Sequence, residues 1–176
     1  DYQVQDDSFD PARTIESTRA LIDEHEIFAM LGGLGTHTHE SVIDDLNAEG
    51  IPDLFVSSGA LQWDQPTEYP YSYGFQVDYT KEAKIQGAYI AENFASDNVG
   101  LLYQNDDVGP SSHAGLEQYL TEEIVAWESY DSGVPELAGQ IASLEENDAE
   151  VVVCSCIPAF LAQAVMEAAA IGYEPQ

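Results

Sequence analysis

The sequence predicts an α/β protein built from two units of parallel β-sheet flanked by helices. Three observations predict it. Short apolar runs alternate with amphipathic helical segments along the 176 residues, the pattern of parallel strands joined by right-handed crossovers. The alternation breaks once, over residues 57–79, the natural place for a change of sheet, which divides the chain into 1–77 and 78–176. Hydrophobic residues make up 44% of the chain, with ten Tyr and six Phe, enough to build cores at this length.

Each element follows from local signals. Tyr2 to Gln5 reads as the end of a strand. Asp10 then Pro11 is a helix start, a capping carboxylate and a proline at the first helical position, and helical spacing continues to about Asp23. Ile27 to Leu31 is a continuous apolar run, as in a strand buried on both faces. Gly32, Gly33 and Gly35 precede a helix from Thr36 to Glu49, ended by Gly50. Ile51 to Val56 is the next strand, closed by Ser57, Ser58, Gly59 and Ala60. A stretch rich in Pro, Tyr and Trp leads to a short strand at Tyr73 to Val77. A helix capped by Thr80 runs to about Phe94. Then come strand Val99 to Gln104, helix Pro110 to Leu120, strand Ile124 to Tyr130 and helix Pro135 to Glu146. Strand Glu150 to Cys156 and helix Pro158 to Ala170, ended by Gly172, complete the pattern. Both chain ends read as interrupted elements, so each sheet is expected to be incomplete.

Asp and Glu number 33 against 4 Lys and Arg, a formal charge of −29. So few cations exclude a phosphate-binding surface, and with it a nucleic-acid partner. They also disfavour anionic membranes. Dense carboxylates with almost no Lys fit adaptation to high salt, which screens their repulsion. In an extended strand, Cys154 and Cys156 would share a face with Cα atoms about 6–7 Å apart, near the outer limit for a disulfide, so two free thiols are expected.

Ligands of parallel sheets bind beyond the carboxyl ends of strands. Four such ends are legible. Gly32 to Thr38 offers glycines, hydroxyls and a helix start suited to a small carboxylate, or simply a helix cap. Ser57 to Leu61 leaves room through small residues, or forms a plain turn. The pairs Asp6–Asp7 and Asp106–Asp107 could hold Mg²⁺ in a phosphoryl-transfer enzyme, but no strand end carries the Lys such sites want, and turn formation with helix capping explains them better. Ser155 to Pro158 carries Cys156 with no His nearby in sequence, so a catalytic thiol is not expected. His37 and His39 diverge at a helix start, so no metal is expected.

Read in order, residues 6–60 (DDSFDPARTIE to LFVSSGA), 69–90, 99–120 and 162–175 resemble the type I periplasmic solute-binding proteins of the branched-chain amino acid (leucine/isoleucine/valine-binding) class. The resemblance implies two Rossmann-like lobes joined by a hinge near Gln76 to Tyr79, closing on a solute and delivering it to the permease of an ABC importer. It implies a chain lacking the first strand and helix of the family and everything after the first half of the second lobe. It also implies a location outside the cytoplasmic membrane, as a periplasmic, extracellular or lipid-anchored protein, with no catalysis and no cofactor. Carried over by position, Leu34, Gly35 and Thr36 match the loop that holds a ligand carboxylate, and Gly59, Ala60 and Leu61 match the second loop of that lobe. Val108, Cys156 and Ile157 match contacts from the other lobe. Branched-chain binders usually carry a hydroxyl residue where Leu61 stands. The resemblance therefore leaves the ligand open among a branched-chain amino acid, another amino acid, an amide and an aromatic acid. The same fold also serves as a receptor ectodomain.

Overall fold

The first helix, α1 (Pro11–Asp23), starts where its sequence dictates. Asp10 has extended backbone, its carboxylate accepts the Arg13 N–H at 3.0 Å, and Pro11 fills the first turn, where an N–H has no intrahelical partner. These details come from a computed structural model, which describes residues 1–95, 97–120, 124–133 and 136–176. The chain divides into two units, Asp1–Asp78 and Tyr79–Gln176.

In the first unit α1 is followed by β1 (Met30–Leu31), α2 (Thr36–Glu49), β2 (Asp53–Val56), a short 3₁₀ turn (Leu61–Asp64) and β3 (Ser72–Gly74). The strands form a parallel sheet in the order β1-β2-β3. Val42, Leu46 and Ile51 are buried together, with Ile22, Ile27 and Met30 packed on them.

Several sequence expectations need correction here. Tyr2 to Gln5 is not a strand, and it lies exposed. The run Ile27 to Leu31 yields only a two-residue strand, because the His25 and Ile27 N–H groups turn back to the Ala20 and Leu21 carbonyls that end α1. The run is not buried on both faces either: Phe28 is 89% exposed and Leu31 49%, β1 being an edge strand of this sheet. The second strand starts at Asp53 and not Ile51, because Gly50 is left-handed, the Ile51 N–H closes α2 on Leu46, and Pro52 has no N–H. The third is Ser72–Gly74 in place of Tyr73 to Val77. Its register slips beside Phe55, which has φ of +59°.

The second unit runs α3 (Tyr79–Asn93), β4 (Val99–Gln104), α4 (Val108–Leu116), β5 (Ile124–Tyr130), α5 (Ala138–Glu146), β6 (Val151–Ser155) and α6 (Pro158–Ile171). Its strands are parallel in the order β5-β4-β6. The central strand β4 is buried on both faces. Leu101 packs with Ala83, Ile90 and Leu116 of α3 and α4; Leu102 packs with Ile141, Leu144 and Phe160 of α5 and α6. Each such leucine contributes about 1.5–3 kcal/mol by burial. Helices α3 and α4 come so close that a Cβ on Gly115 would lie 2.4 Å from the Thr80 carbonyl oxygen.

Helix α4 starts two residues before the expected Pro110, because the Asp106 carboxylate takes the Val108 N–H at 3.0 Å. Pro110 is accommodated in its first turn. The helix stops at Leu116, where Gln118 and Tyr119 tighten into i→i−3 bonds. Helix α5 is described from Ala138; the expected start at Pro135 lies outside the described residues.

The two cysteines are not free thiols. Cys154 and Cys156 form a disulfide with Cα atoms 5.2 Å apart, inside the usual range. The separation across one intervening residue is set by that residue's backbone, so 5.2 Å in place of about 6–7 Å means that the chain is not fully extended at Ser155, the last residue of β6. Among the described residues no helix is long and apolar enough to cross a membrane.

Candidate functional site

In the first unit the loops after β1 and β2 are stitched together. Leu34 bridges Ser57, the Ser57 N–H donates to Gly33 and the Gly35 N–H donates to Ser57. Beneath them the Thr36 and Ser58 hydroxyls meet at 2.7 Å, both side chains buried, and Ser58 Oγ accepts the Ala60 N–H at 3.2 Å. Six residues expected from the sequence therefore come together: Leu34, Gly35, Thr36, Gly59, Ala60 and Leu61. They differ in exposure. Leu34 (63% exposed) and Leu61 stand at the surface, whereas Thr36, Gly59 and Ala60 are buried. Gly35, at φ of +96°, turns the chain into α2 with no capping side chain. The first intrahelical bond is donated by His39 to Gly35. The N–H groups of Thr36, His37 and Thr38 thus form the positive end of a 14-residue helix, the backbone arrangement that attracts a carboxylate.

This loop rests on a buried polar network. His39 Nε2 lies 2.7 Å from Asp53 Oδ2, with both side chains at most 1% exposed. Ser72 Oγ donates to the same carboxylate oxygen, and Asn47 Nδ2 donates to Ser72. The His39 ring fills the space beside Gly33 so fully that a Cβ there would lie 2.3 Å from it. His37 instead meets Phe9 edge-on, with ring centroids 4.7 Å apart. The two histidines do diverge, and among the described residues no group of three His, Cys, Asp or Glu could hold a metal ion. Phe9 also presses on Gly35.

The acidic pairs serve turns. Asp6 and Asp7 accept the Ser8 and Phe9 N–H groups, and Asp7 also takes the Thr14 hydroxyl. Asp106 holds Val108 and Gln104. Asp107 is the N-cap residue of α4 without a side-chain cap bond.

In the second unit, Val108, Cys156 and Ile157 lie where β4 and β6 end. Ser112 of α4 and Ser155 of β6 join these ends through hydroxyls 3.1 Å apart. Val108 is buried; Cys156 and Ile157 are half-buried. Cys156 Sγ lies 3.6 Å from the Leu102 carbonyl oxygen. The Ile157 N–H donates to the Tyr130 hydroxyl at 3.0 Å. Burial pushes the Tyr130 hydroxyl above its ordinary pKa; the Ile157 N–H pulls it back and the Asp106 charge raises it further.

Sequence reading placed Ser58 in a candidate loop but missed its pairing with Thr36, and it missed His39 with Asp53, and Tyr130, as parts of these arrangements. Ser58 was visible as a small polar residue at a strand end. The others depend on pairings between residues far apart in the chain.

Comparison with known proteins decides the family. A periplasmic binding protein family model matches residues 1–176. The chain belongs to the periplasmic binding protein family. The fold agrees with solved members of the type I architecture. A possible leucine/isoleucine/valine-binding protein from Rhodopirellula baltica SH 1 superposes with a TM-score of 0.84 at 19% identity, over 97% of this chain and 48% of that one. A branched-chain amino acid ABC transporter protein from Thermus thermophilus with bound valine gives 0.79 at 19% identity, over 98% and 46%. A solute-binding protein of an R. palustris ABC transporter in complex with benzoate gives 0.80 at 16% identity, over 96% and 47%. The chain thus spans about half the length of the solved structures it matches. No curated protein matches it.

Proposed function

We propose that this periplasmic binding protein chain serves as the solute-binding component of an ABC importer, outside the cytoplasmic membrane, and takes an amino acid or a similar small carboxylate. Residues 1–77 and 78–176 belong to its two lobes. Leu34, Gly35, Thr36, Gly59, Ala60 and Leu61 contact the solute from the first, and Val108, Cys156 and Ile157 from the second. The observation that carries this reading is the first-unit loop pair, where a helix N-terminus and the Thr36 hydroxyl stand at the carboxyl ends of parallel strands. A carboxylate held there is neutralised by oriented N–H groups, which suits a chain with only 4 Lys and Arg. The ligands of two solved structures, valine and benzoate, share a carboxylate and little else, which supports the charge as the common element. The chemistry is binding and release: no bond is made or broken.

The test is a thermal melt in molar KCl against amino acids, their amides, and aromatic and aliphatic carboxylic acids. A solute at about one hundred times its Kd adds roughly 2.7 kcal/mol to the state that binds it. One class of carboxylates raising Tm supports the reading. A panel in which no carboxylate moves Tm overturns it.

A further inference from the structure

We propose that Tyr130 is a positioning residue for solute binding in the second unit, holding the Ile157 amide at the β6–α6 junction from the end of a different strand. The inference rests on the functional reading above, which places Cys156 and Ile157 against the solute.

The junction needs an external partner. Ile157 is the N-cap residue of α6, and its side chain cannot accept an N–H. Pro158, which follows, has no N–H. The chain leaves the ladder after Ser155. Upstream of Ile157 it is tied by the Cys154–Cys156 disulfide and by the Ser155–Ser112 hydroxyl pair. At Ile157 itself the carbonyl accepts the Phe160 and Leu161 N–H groups of α6, and the N–H is tied to the Tyr130 hydroxyl.

Tyr130 is built to hold still. It is the last residue of β5, only 3% exposed, and its ring stacks on Phe160 with centroids 4.2 Å apart and planes 16° from parallel. Phe160 lies in the first turn of α6, so the stack fixes the hydroxyl relative to the helix whose N-terminus it serves. Accepting one N–H leaves the phenol its own O–H to donate. A buried side chain whose polar tip lies beside two proposed solute contacts thus sets where their backbone sits. The disulfide closes a loop of only three residues and so removes little chain entropy on unfolding. Its effect is local, fixing Cys156 beside Cys154.

The experiment compares wild type, Tyr130→Phe and a stability control, Ile141→Val, in molar KCl. Tyr130→Phe keeps the ring and its stack and removes only the hydroxyl. Amide hydrogen exchange over residues 155–160 reads the junction without any solute, and calorimetric titration with L-valine and with benzoate reads binding. The expected result is exchange at Ile157 faster by about tenfold and a Kd weaker by about five- to tenfold in Tyr130→Phe, for one lost hydrogen bond. Ile141→Val should lower Tm and leave Kd unchanged. Unchanged exchange at Ile157 in Tyr130→Phe overturns the inference. So does faster exchange with an unchanged Kd, which makes the bond structural only. If wild type binds neither probe nor any member of the wider panel, the functional reading fails first and takes this inference with it.

Discussion

Replacing Gly33 by alanine should destabilise the first unit by about 1–3 kcal/mol, the usual cost of overfilling a packed site. The added Cβ would lie 2.3 Å from both Cε1 and Nδ1 of His39, well inside any tolerated contact. Gly33 does not have a left-handed backbone, so the penalty is one of space. The ring cannot step aside cheaply. Its Nε2 is held 2.7 Å from Asp53, and Trp63 meets it edge-on with centroids 5.3 Å apart. For a unit of this size the loss corresponds to roughly 5–20 °C in Tm. Urea unfolding followed by Trp63 fluorescence, in a Trp127→Phe background, reports this unit. A double-mutant cycle with His39→Gln isolates the cause, since glutamine can still donate to Asp53 but lacks the ring. Gly33→Ala should cost at least 1 kcal/mol less in that background. Stability within about 0.5 kcal/mol of wild type, or an equal cost in both backgrounds, refutes the account of how His39 supports the loop.

Three further outcomes follow from the same coordinates. Gly115→Ala should destabilise the second unit by a similar 1–3 kcal/mol, about, because its Cβ meets the Thr80 carbonyl oxygen at 2.4 Å and Ala83 at 2.6 Å; a neutral result in circular-dichroism melts would show that α3 and α4 can separate freely. Burial lowers the pKa of His113, and Glu117, 3.3 Å away, only partly offsets it. The unfolded chain therefore takes up this proton first as pH falls below about 6.5. The stability involved is complete above that value and is lost as pH falls through the lower folded value. The advantage of wild type over His113→Gln should thus shrink between about pH 7.5 and pH 5, and a constant or growing advantage contradicts the burial argument. Finally, Tm should rise from dilute to molar KCl, because 33 acidic residues face 4 basic ones and the screening length falls from about 10 Å to about 3 Å between 0.1 M and 1 M salt; a flat or falling Tm would remove salt adaptation as the explanation of the charge.

Elements marked by local chemistry were legible in the sequence. Asp10 with Pro11 marks the start of α1, Gly50 and Gly172 mark the ends of α2 and α6, and the apolar runs at 99–104 and 124–130 give β4 and β5 at their observed bounds. What failed depended on neighbours. The run at 27–31 has strand composition, but strand length is set by ladder partners, and the end of α1 takes up the N–H groups of His25 and Ile27. The cysteines looked too far apart because full extension was assumed at Ser155, the last residue of β6, where the chain draws their Cα atoms to 5.2 Å. In the candidate site, glycines and hydroxyls after strands pointed to the loops. The pairings that shape them join residues 22 and 27 positions apart, Thr36 with Ser58 and Tyr130 with Ile157. No periodicity reports contacts at that separation.

The central claim is that the Gly35–Thr36 loop binds a carboxylate. It is tested most directly by calorimetric titration of wild type and Thr36→Val with the best solute from the melts and with that solute's neutral amide. The account predicts that wild type binds the acid and rejects the amide, and that Thr36→Val binds the acid about 10- to 100-fold more weakly, the worth of one hydrogen bond to a charged group. Equal affinity for acid and amide, or an unchanged Kd in Thr36→Val, would contradict it.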